Sequence, residues 1–309
     1  MKLAFLISAH TDAPQLKRLI GALPDNSVFF VHIDRKSDMT PFSALLAADK
    51  RVRFVKHRVS VVWGSINEVE YQMELVRAAL LSDLSFDYLI TLSGMDYPVC
   101  EKGQMLEFFE RQQGHEFLCG APITMHGKGA KLYREYRLFA SLPWKYGSVK
   151  SKFRVLLRKT LWMLGFRKPL TFSVCESEYN LYKGAAWWAI SPELAAYILG
   201  EWDKNDKLVS YFKTSFCPAE TFAQTVAFNN KQWRNRCIVN PTWEGLEVNT
   251  PLTFIHYHPV MKILTEDDYD DIVSSGKMFA RKIITGKSDK LVTMLLNQCN
   301  KRQIHANEQ

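Results

Sequence analysis

The first hundred residues alternate short apolar runs with amphipathic stretches, and no other feature constrains the fold as tightly. Residues 3–8 form a continuous apolar run, the pattern of a strand buried on both faces. Over 14–23, Leu16, Leu19, Ile20 and Leu23 fall at helical spacing, with Asp12 placed to cap the helix. Further strands are predicted at 28–33, 52–55 and 88–92, with a long amphipathic helix over 66–81. Repeated strand–helix units predict an α/β fold, a mostly parallel Rossmann-like sheet flanked by helices. Ligands of such sheets bind beyond the carboxyl ends of the strands. The polar residues there are Ala9-His10, His32 to Asp34, Trp63-Gly64-Ser65 and Ser93 to Asp96.

The character changes between 125 and 170, where lysines and arginines interleave with aromatic and aliphatic residues. We read this stretch as an insertion carrying a helix over 149–164, with Arg134 and Arg137 the residues placed to meet an acceptor. Beyond it a strand is predicted at 185–190, with helices at 192–202, 219–228, 265–274 and 288–297. The chain has 309 residues, 23% of them charged, with a net charge of +8, so anionic partners are expected: nucleotide phosphates, acidic membranes or nucleic acid. Its six cysteines, Cys100, Cys119, Cys175, Cys217, Cys237 and Cys299, show no zinc spacing and read as buried thiols of a reducing compartment. The apolar run at the start is too short for a signal peptide, and no later run is long enough to span a bilayer. A cytoplasmic protein is therefore expected.

Three groups of residues bear on chemistry. Glu220, in Pro218-Ala219-Glu220, reads either as a carboxylate complementing a helix N-terminus or as a general base for a sugar hydroxyl. Arg281-Lys282 is a cation pair that can neutralise a pyrophosphate leaving group, though such pairs are often only solvated. Asp268-Tyr269-Asp270 is the one D-x-D string, and with Thr265 ahead of Asp268 it reads as a helix cap rather than a metal site. No G-x-G-x-x-G or P-loop pattern occurs.

Taken in order, Ala9-His10, the segment from Val31 to Ser37, Val62-Trp63-Gly64-Ser65, Asp87 to Pro98 with its Ser-Gly-Met-Asp-Tyr-Pro string, Gly184-Ala185-Ala186-Trp187-Trp188, Pro218-Ala219-Glu220 and Phe279-Ala280-Arg281-Lys282 resemble one family. It is that of the core-2/I-branching β-1,6-N-acetylglucosaminyltransferases and peptide O-xylosyltransferases, and this chain is similar to a bacterial-type member. The resemblance implies a GT-A-like fold, a UDP-sugar donor as co-substrate, inversion at the anomeric carbon and no metal or other cofactor. Carried over, it implies Glu220 as catalytic base and Lys282 on the UDP diphosphate with Arg281 beside it. Asp34 would lie near the uridine, Trp63 near the uracil and Asp96 near the donor sugar, with Ala9 and His10 lining the donor site. The family's upstream cation has no arginine here, so Lys262 is its candidate. The family's acceptor-contacting tryptophan has no counterpart in 253–259, which carries Tyr257 instead.

Trp187 and Trp188 offer either a flat surface for acceptor sugars or a buried strand pair. We expect one glycosyltransferase domain over 1–309, with a nucleotide-sugar-binding half at 1–124, the insertion at 125–170 and an acceptor and catalytic half at 171–309. The expected acceptor is a glycan or lipid-linked glycan, with peripheral contact to the inner membrane face through 131–168 and none with nucleic acid. UDP-GlcNAc is the expected donor, UDP-xylose or another UDP-sugar the alternative. The competing class is a non-catalytic binder of anionic polymers, for which no nucleic-acid motif speaks.

Overall fold

The computed structural model describes residues 1–124, 129–174, 177–258 and 260–297. Cys175, Cys299, Pro259 and the first four residues of the expected insertion, 125–128, lie outside the described residues.

Strands β1 (Leu3–Ala9), β2 (Val28–Ile33), β3 (Val52–Phe54) and β4 (Tyr88–Ser93) lie parallel in the order 3-2-1-4. After the short β5 (Asp96–Pro98) come β6 (Glu116–Pro122), β7 (Thr171–Val174), β8 (Ser177–Asn180) and β9 (Tyr182–Gly184), followed by β10 (Ala189–Ile190) and β11 (Cys237–Val239). The main sheet continues from β4 through antiparallel β10 to β6, which carries parallel β11 and antiparallel β9. A second sheet joins β5 to β12 (Thr253–Ile255) through β13 (Phe279–Arg281). The expected α/β architecture, a mostly parallel sheet flanked by helices, is the one observed.

Alternation along β1 explains why both faces are covered. Leu3, Phe5 and Ile7 pack with Leu16, Leu19 and Ile20 of the helix Ala13–Ala22. Ala4 and Leu6 face the opposite way, toward Val69, Met73 and Val76 of the helix Asn67–Leu80. A strand apolar on both sides can bury its hydrophobic surface only between two layers. A third core, built on Tyr97, Leu264, Ile272 and Ala280, supports the small sheet.

Several predicted elements change on folding. Asp12 caps the first helix as expected, accepting the Gln15 N–H at 3.1 Å. The predicted strand 185–190 shrinks to Ala189–Ile190. The predicted helix 219–228 breaks in two, a 3₁₀ turn Pro218–Glu220 and a helix Phe222–Phe228, because Thr221 between them has φ −132°. Glu220 therefore sits on a turn, not in the first turn of an α-helix. Thr265 and Asp268 do form a reciprocal cap, over a 3₁₀ turn that precedes the helix Tyr269–Ser274.

The insertion is pinned by Lys168, which is 1% exposed. Its ammonium donates to the Tyr211 carbonyl and, at 2.8 Å, to Thr214 Oγ1. Burial lowers its pKa from 10.5 to about 7. Between those values the native state binds fewer protons than the unfolded chain, so stability rises with pH there and this contribution is flat below. Lys168→Met should remove that rise, read as the difference between variant and parent in urea melts at about pH 7 and about pH 9.5.

Candidate functional site

The carboxyl ends of β1, β2 and β4 form one polar edge. Asp34, just past β2, is 9% exposed. Its Oδ1 accepts the Lys36 N–H at 2.9 Å and the Val61 N–H at 3.4 Å, while Lys36 Nζ lies 3.4 Å from Oδ2. Arg58 holds this loop by donating to the carbonyls of Ile33, Asp34 and Ser37. His32 is buried, accepts the Val59 N–H through Nε2 and stacks on Tyr71, and burial lowers its pKa to about 4. It is a structural histidine.

Ser93 to Asp96 turn back sharply after β4. A Cβ on Gly94 would stand 2.8 Å from the Ala9 Cβ, so only glycine lets this turn close on β1. The turn buries Asp96 completely. Antiparallel pairing sets Asp96 opposite Arg281, and Asp96 Oδ1 accepts from Arg281 Nη1 at 2.8 Å. Oδ2 accepts the Ser93 N–H at 2.7 Å, and Trp187 also donates to this carboxylate. Burial pushes the Asp96 pKa up, opposed by Arg281 and these donors. The carboxylate is thus occupied in orienting Arg281, whose guanidinium also lies 4.9 Å from the centre of the Trp187 ring.

Lys282 follows directly. Burial and the neighbouring Arg281 lower its pKa. His10 stands exposed in the same field: partial burial lowers its pKa, Asp34 opposes this, and Arg281, Lys282 and Lys36 add to the lowering. Ala9, His10, Asp34, Asp96, Arg281 and Lys282 are therefore brought together, with cations in the majority at the exposed rim.

Glu220 arrives from the other side. Cys217 adopts φ 44° and starts the 3₁₀ turn, and its N–H donates to the carbonyl of Gly64, which has φ 72°. The Trp63 loop and the Glu220 turn are thereby fastened together. The Glu220 side chain keeps 27% of its surface exposed, and Lys183 Nζ lies 3.7 Å from its Oε2. Burial raises its pKa, and Lys183 pulls it back down. Lys183 itself sits 4.1 Å from the centre of the Trp243 ring and 5.6 Å from that of Tyr133. A second carboxylate, Glu68, accepts the Gly64 N–H at 2.8 Å. Burial pushes its pKa up to about 7, lowered by that hydrogen bond and raised by the charge of Glu220. Tyr71 lies in the fields of both Glu68 and Arg281 and hydrogen-bonds Ser8, so it joins the two halves of the edge.

Sequence reasoning missed Lys183, Glu68, Tyr71 and Trp243. The remaining expected residues divide. Trp63 is 77% exposed, and its ring stands nearly perpendicular to that of Phe216, 6.4 Å away. Trp188 is corrected: it is 2% exposed within the core and offers no surface to an acceptor. Trp187 is half-buried against Arg281, on the cation side of the edge rather than beside Glu220. Arg137 stacks 4.2 Å from the centre of the Phe216 ring, next to the Glu220 turn, with its N–H on the Thr214 carbonyl. Arg134 sits on the neighbouring short helix Ala130–Arg134, its Nε buried without a partner. Lys262 is held by Asp268 at 2.6 Å, while the adjacent Met261 meets Arg281 Nε at 3.0 Å. Asp268 is thus committed to a cap and an ion pair, and the described residues contain no cluster of metal-ligating side chains. Among the described residues, Cys119, Cys217 and Cys237 are free thiols, and no helix is long and apolar enough to cross a membrane.

Removing one partner of a buried ion pair strands the other. Asp96→Asn should cost about 3–5 kcal/mol in chemical denaturation. A loss below about 1 kcal/mol would mean that the pair behaves as a surface contact.

Residues 3–258 match the family described as Core-2/I-Branching enzyme. The xylosyltransferase oxt of Drosophila melanogaster is 26% identical over 240 residues, covering 75% of this chain and 25% of that protein. Xylosyltransferase 1 of Homo sapiens is 23% identical over 240 residues, covering 74% of this chain and 22% of that protein. Beta-glucuronosyltransferase GlcAT14B of Arabidopsis thaliana is 25% identical over 307 residues, covering 91% and 62%. The chain thus spans about a quarter of the length of the xylosyltransferases it matches. Among solved structures, apo mouse xyloside xylosyltransferase 1 aligns with a TM-score of 0.34 at 11% identity, over 91% of this chain and 97% of that one, a likeness too loose to bear on the site. The match across most of the chain and the curated relatives lead to one statement: this protein belongs to the core-2/I-branching enzyme family of glycosyltransferases.

Proposed function

We propose that the chain is an inverting, metal-independent transferase that moves a sugar from a UDP-sugar to a glycan or lipid-linked glycan hydroxyl, with Glu220 as general base. The observation that carries this reading is the division of charge along one edge: an anchored Arg281-Lys282 pair at one end, and a half-buried carboxylate of raised pKa at the other. A departing nucleoside diphosphate develops negative charge, and fixed cations in a partly desolvated site stabilise it. A carboxylate with a raised pKa is a stronger base toward an alcohol than an ordinary one.

In this reading Arg281 and Lys282 hold the diphosphate, and His10 and Asp34 border the nucleotide. The exposed ring of Trp63 stacks on the base. Glu220 takes the proton of the acceptor hydroxyl as that oxygen attacks the anomeric carbon from the face opposite UDP. Lys183 keeps Glu220 ionised, and Trp243 together with Arg137 and Arg134 borders the acceptor. We propose UDP-GlcNAc as donor on the strength of the motif resemblance. The xylosyltransferases and the glucuronosyltransferase among the relatives make UDP-xylose and UDP-glucuronate the competing donors.

Glu220→Gln should reduce transfer by about 10²–10⁴-fold while UDP binding, read by thermal shift, persists. Activity should survive EDTA, and strict dependence on added Mn²⁺ or Mg²⁺ would refute the cation-pair mechanism. Transfer should fall as pH drops through the Glu220 pKa. Since Lys183 holds that pKa down against burial, Lys183→Met should move the acid limb of kcat/KM to higher pH. An unmoved limb would remove Lys183 from this role.

A further inference from the structure

The helix Val149–Met163 presents an apolar stripe to solvent. Val149, Leu156 and Met163 recur every seven residues along one stripe and are 84%, 62% and 84% exposed, with Phe153 beside them at 51%. Its two arginines face the protein instead. Arg154 lies over Trp144, 5.0 Å from the ring centre, and Arg158 pairs with Glu135 at 3.4 Å. The helix buries no residue fully. An apolar stripe of this size, left to solvent, marks an interaction surface.

Charge identifies the occupant. Residues 136–174 carry nine Lys or Arg and no Asp or Glu, while the whole chain nets +8, so the rest of the molecule is close to neutral. Lys145, Lys150, Lys152 and Lys159 are exposed around the stripe. A helix with an outward apolar face flanked by lysines, too short to span a bilayer, has the form of one that lies in the interface of an anionic membrane. We propose that this helix docks the protein on an anionic lipid surface, its axis in the membrane plane and Val149, Phe153, Leu156 and Met163 in the acyl boundary. A protein partner covering the same stripe would need acidic groups to answer four lysines, whereas a lipid headgroup layer supplies them everywhere.

The insertion that carries this helix also borders the edge described above. Arg137, at the root of the insertion, packs on Phe216 immediately before the Glu220 turn. A lipid-linked acceptor would thus reach Glu220 without leaving the surface; this last consequence rests on the transferase reading, and the lipid binding does not.

The test is vesicle flotation at physiological salt, using phosphatidylcholine alone or with about 30 mol% phosphatidylglycerol. The protein should float with the anionic vesicles and stay behind with the neutral ones. The triple variant Phe153→Ser, Leu156→Ser, Met163→Ser should lower binding about tenfold, and Lys152→Glu with Lys159→Glu comparably. Both variants alter exposed side chains, so melting temperature and UDP thermal shift should be unchanged. Three results would overturn the proposal: no flotation of the parent, flotation indifferent to the apolar substitutions, or a self-association in ultracentrifugation that the triple variant abolishes while vesicles bind neither protein. Vesicle binding without sugar transfer to any acceptor would leave the docking standing and remove the transferase reading.

Discussion

A buried carboxylate facing an arginine 185 residues away organises this molecule. Asp96 cannot be left alone in the interior, because an unpaired buried charge costs several kcal/mol. The pairing of β5 with β13 sets Arg281 against it, and that register also delivers Lys282 to the ligand edge. Gln15 donates to the Asp96 carbonyl at 3.0 Å, and Asp12 accepts from the backbone and hydroxyl of Thr285. The first helix is thereby tied to β5 and to the turn that follows β13. The result is a cation whose direction is set before any ligand arrives, the condition under which electrostatic stabilisation of a leaving group is most effective.

The opposite end of the edge works by contrast of environment. Glu220 and Glu68 are neighbours, yet Glu68 is spoken for by the Gly64 N–H while Glu220 faces outward with one ammonium beside it. Two carboxylates close together oppose each other's ionisation, so the charge tends to settle on the one with the cation. Lys183 decides which carboxylate that is.

The parallel half of the sheet was legible because strands buried on both faces announce themselves as apolar runs, and 28–33 was read to the residue. The Asp12 and Thr265 caps were legible because capping has a fixed chemistry at a fixed spacing. The short strands β5, β12 and β13 were not, since they are set by pairing across the small sheet rather than by an apolar run of their own. Trp187 and Trp188 show the limit at the site: neighbours in extended backbone point to opposite sides, and sequence alone does not say which side holds the core. Glu68 was hidden differently. It stands three residues after Ser65, a spacing that suggests a routine helix cap, but its carboxylate reaches Gly64 instead.

One topological detail has a wider reach. β10 runs against its neighbours, so it presents its beginning, rather than its end, at the rim where the parallel strands finish. Trp187, which leads into it, is thereby brought to this edge, and reversed β9 carries Lys183 toward it as well. A search confined to loops that follow strands would pass over them. In a sheet with reversed members, residues that precede a strand reach the ligand edge as readily as those that follow one.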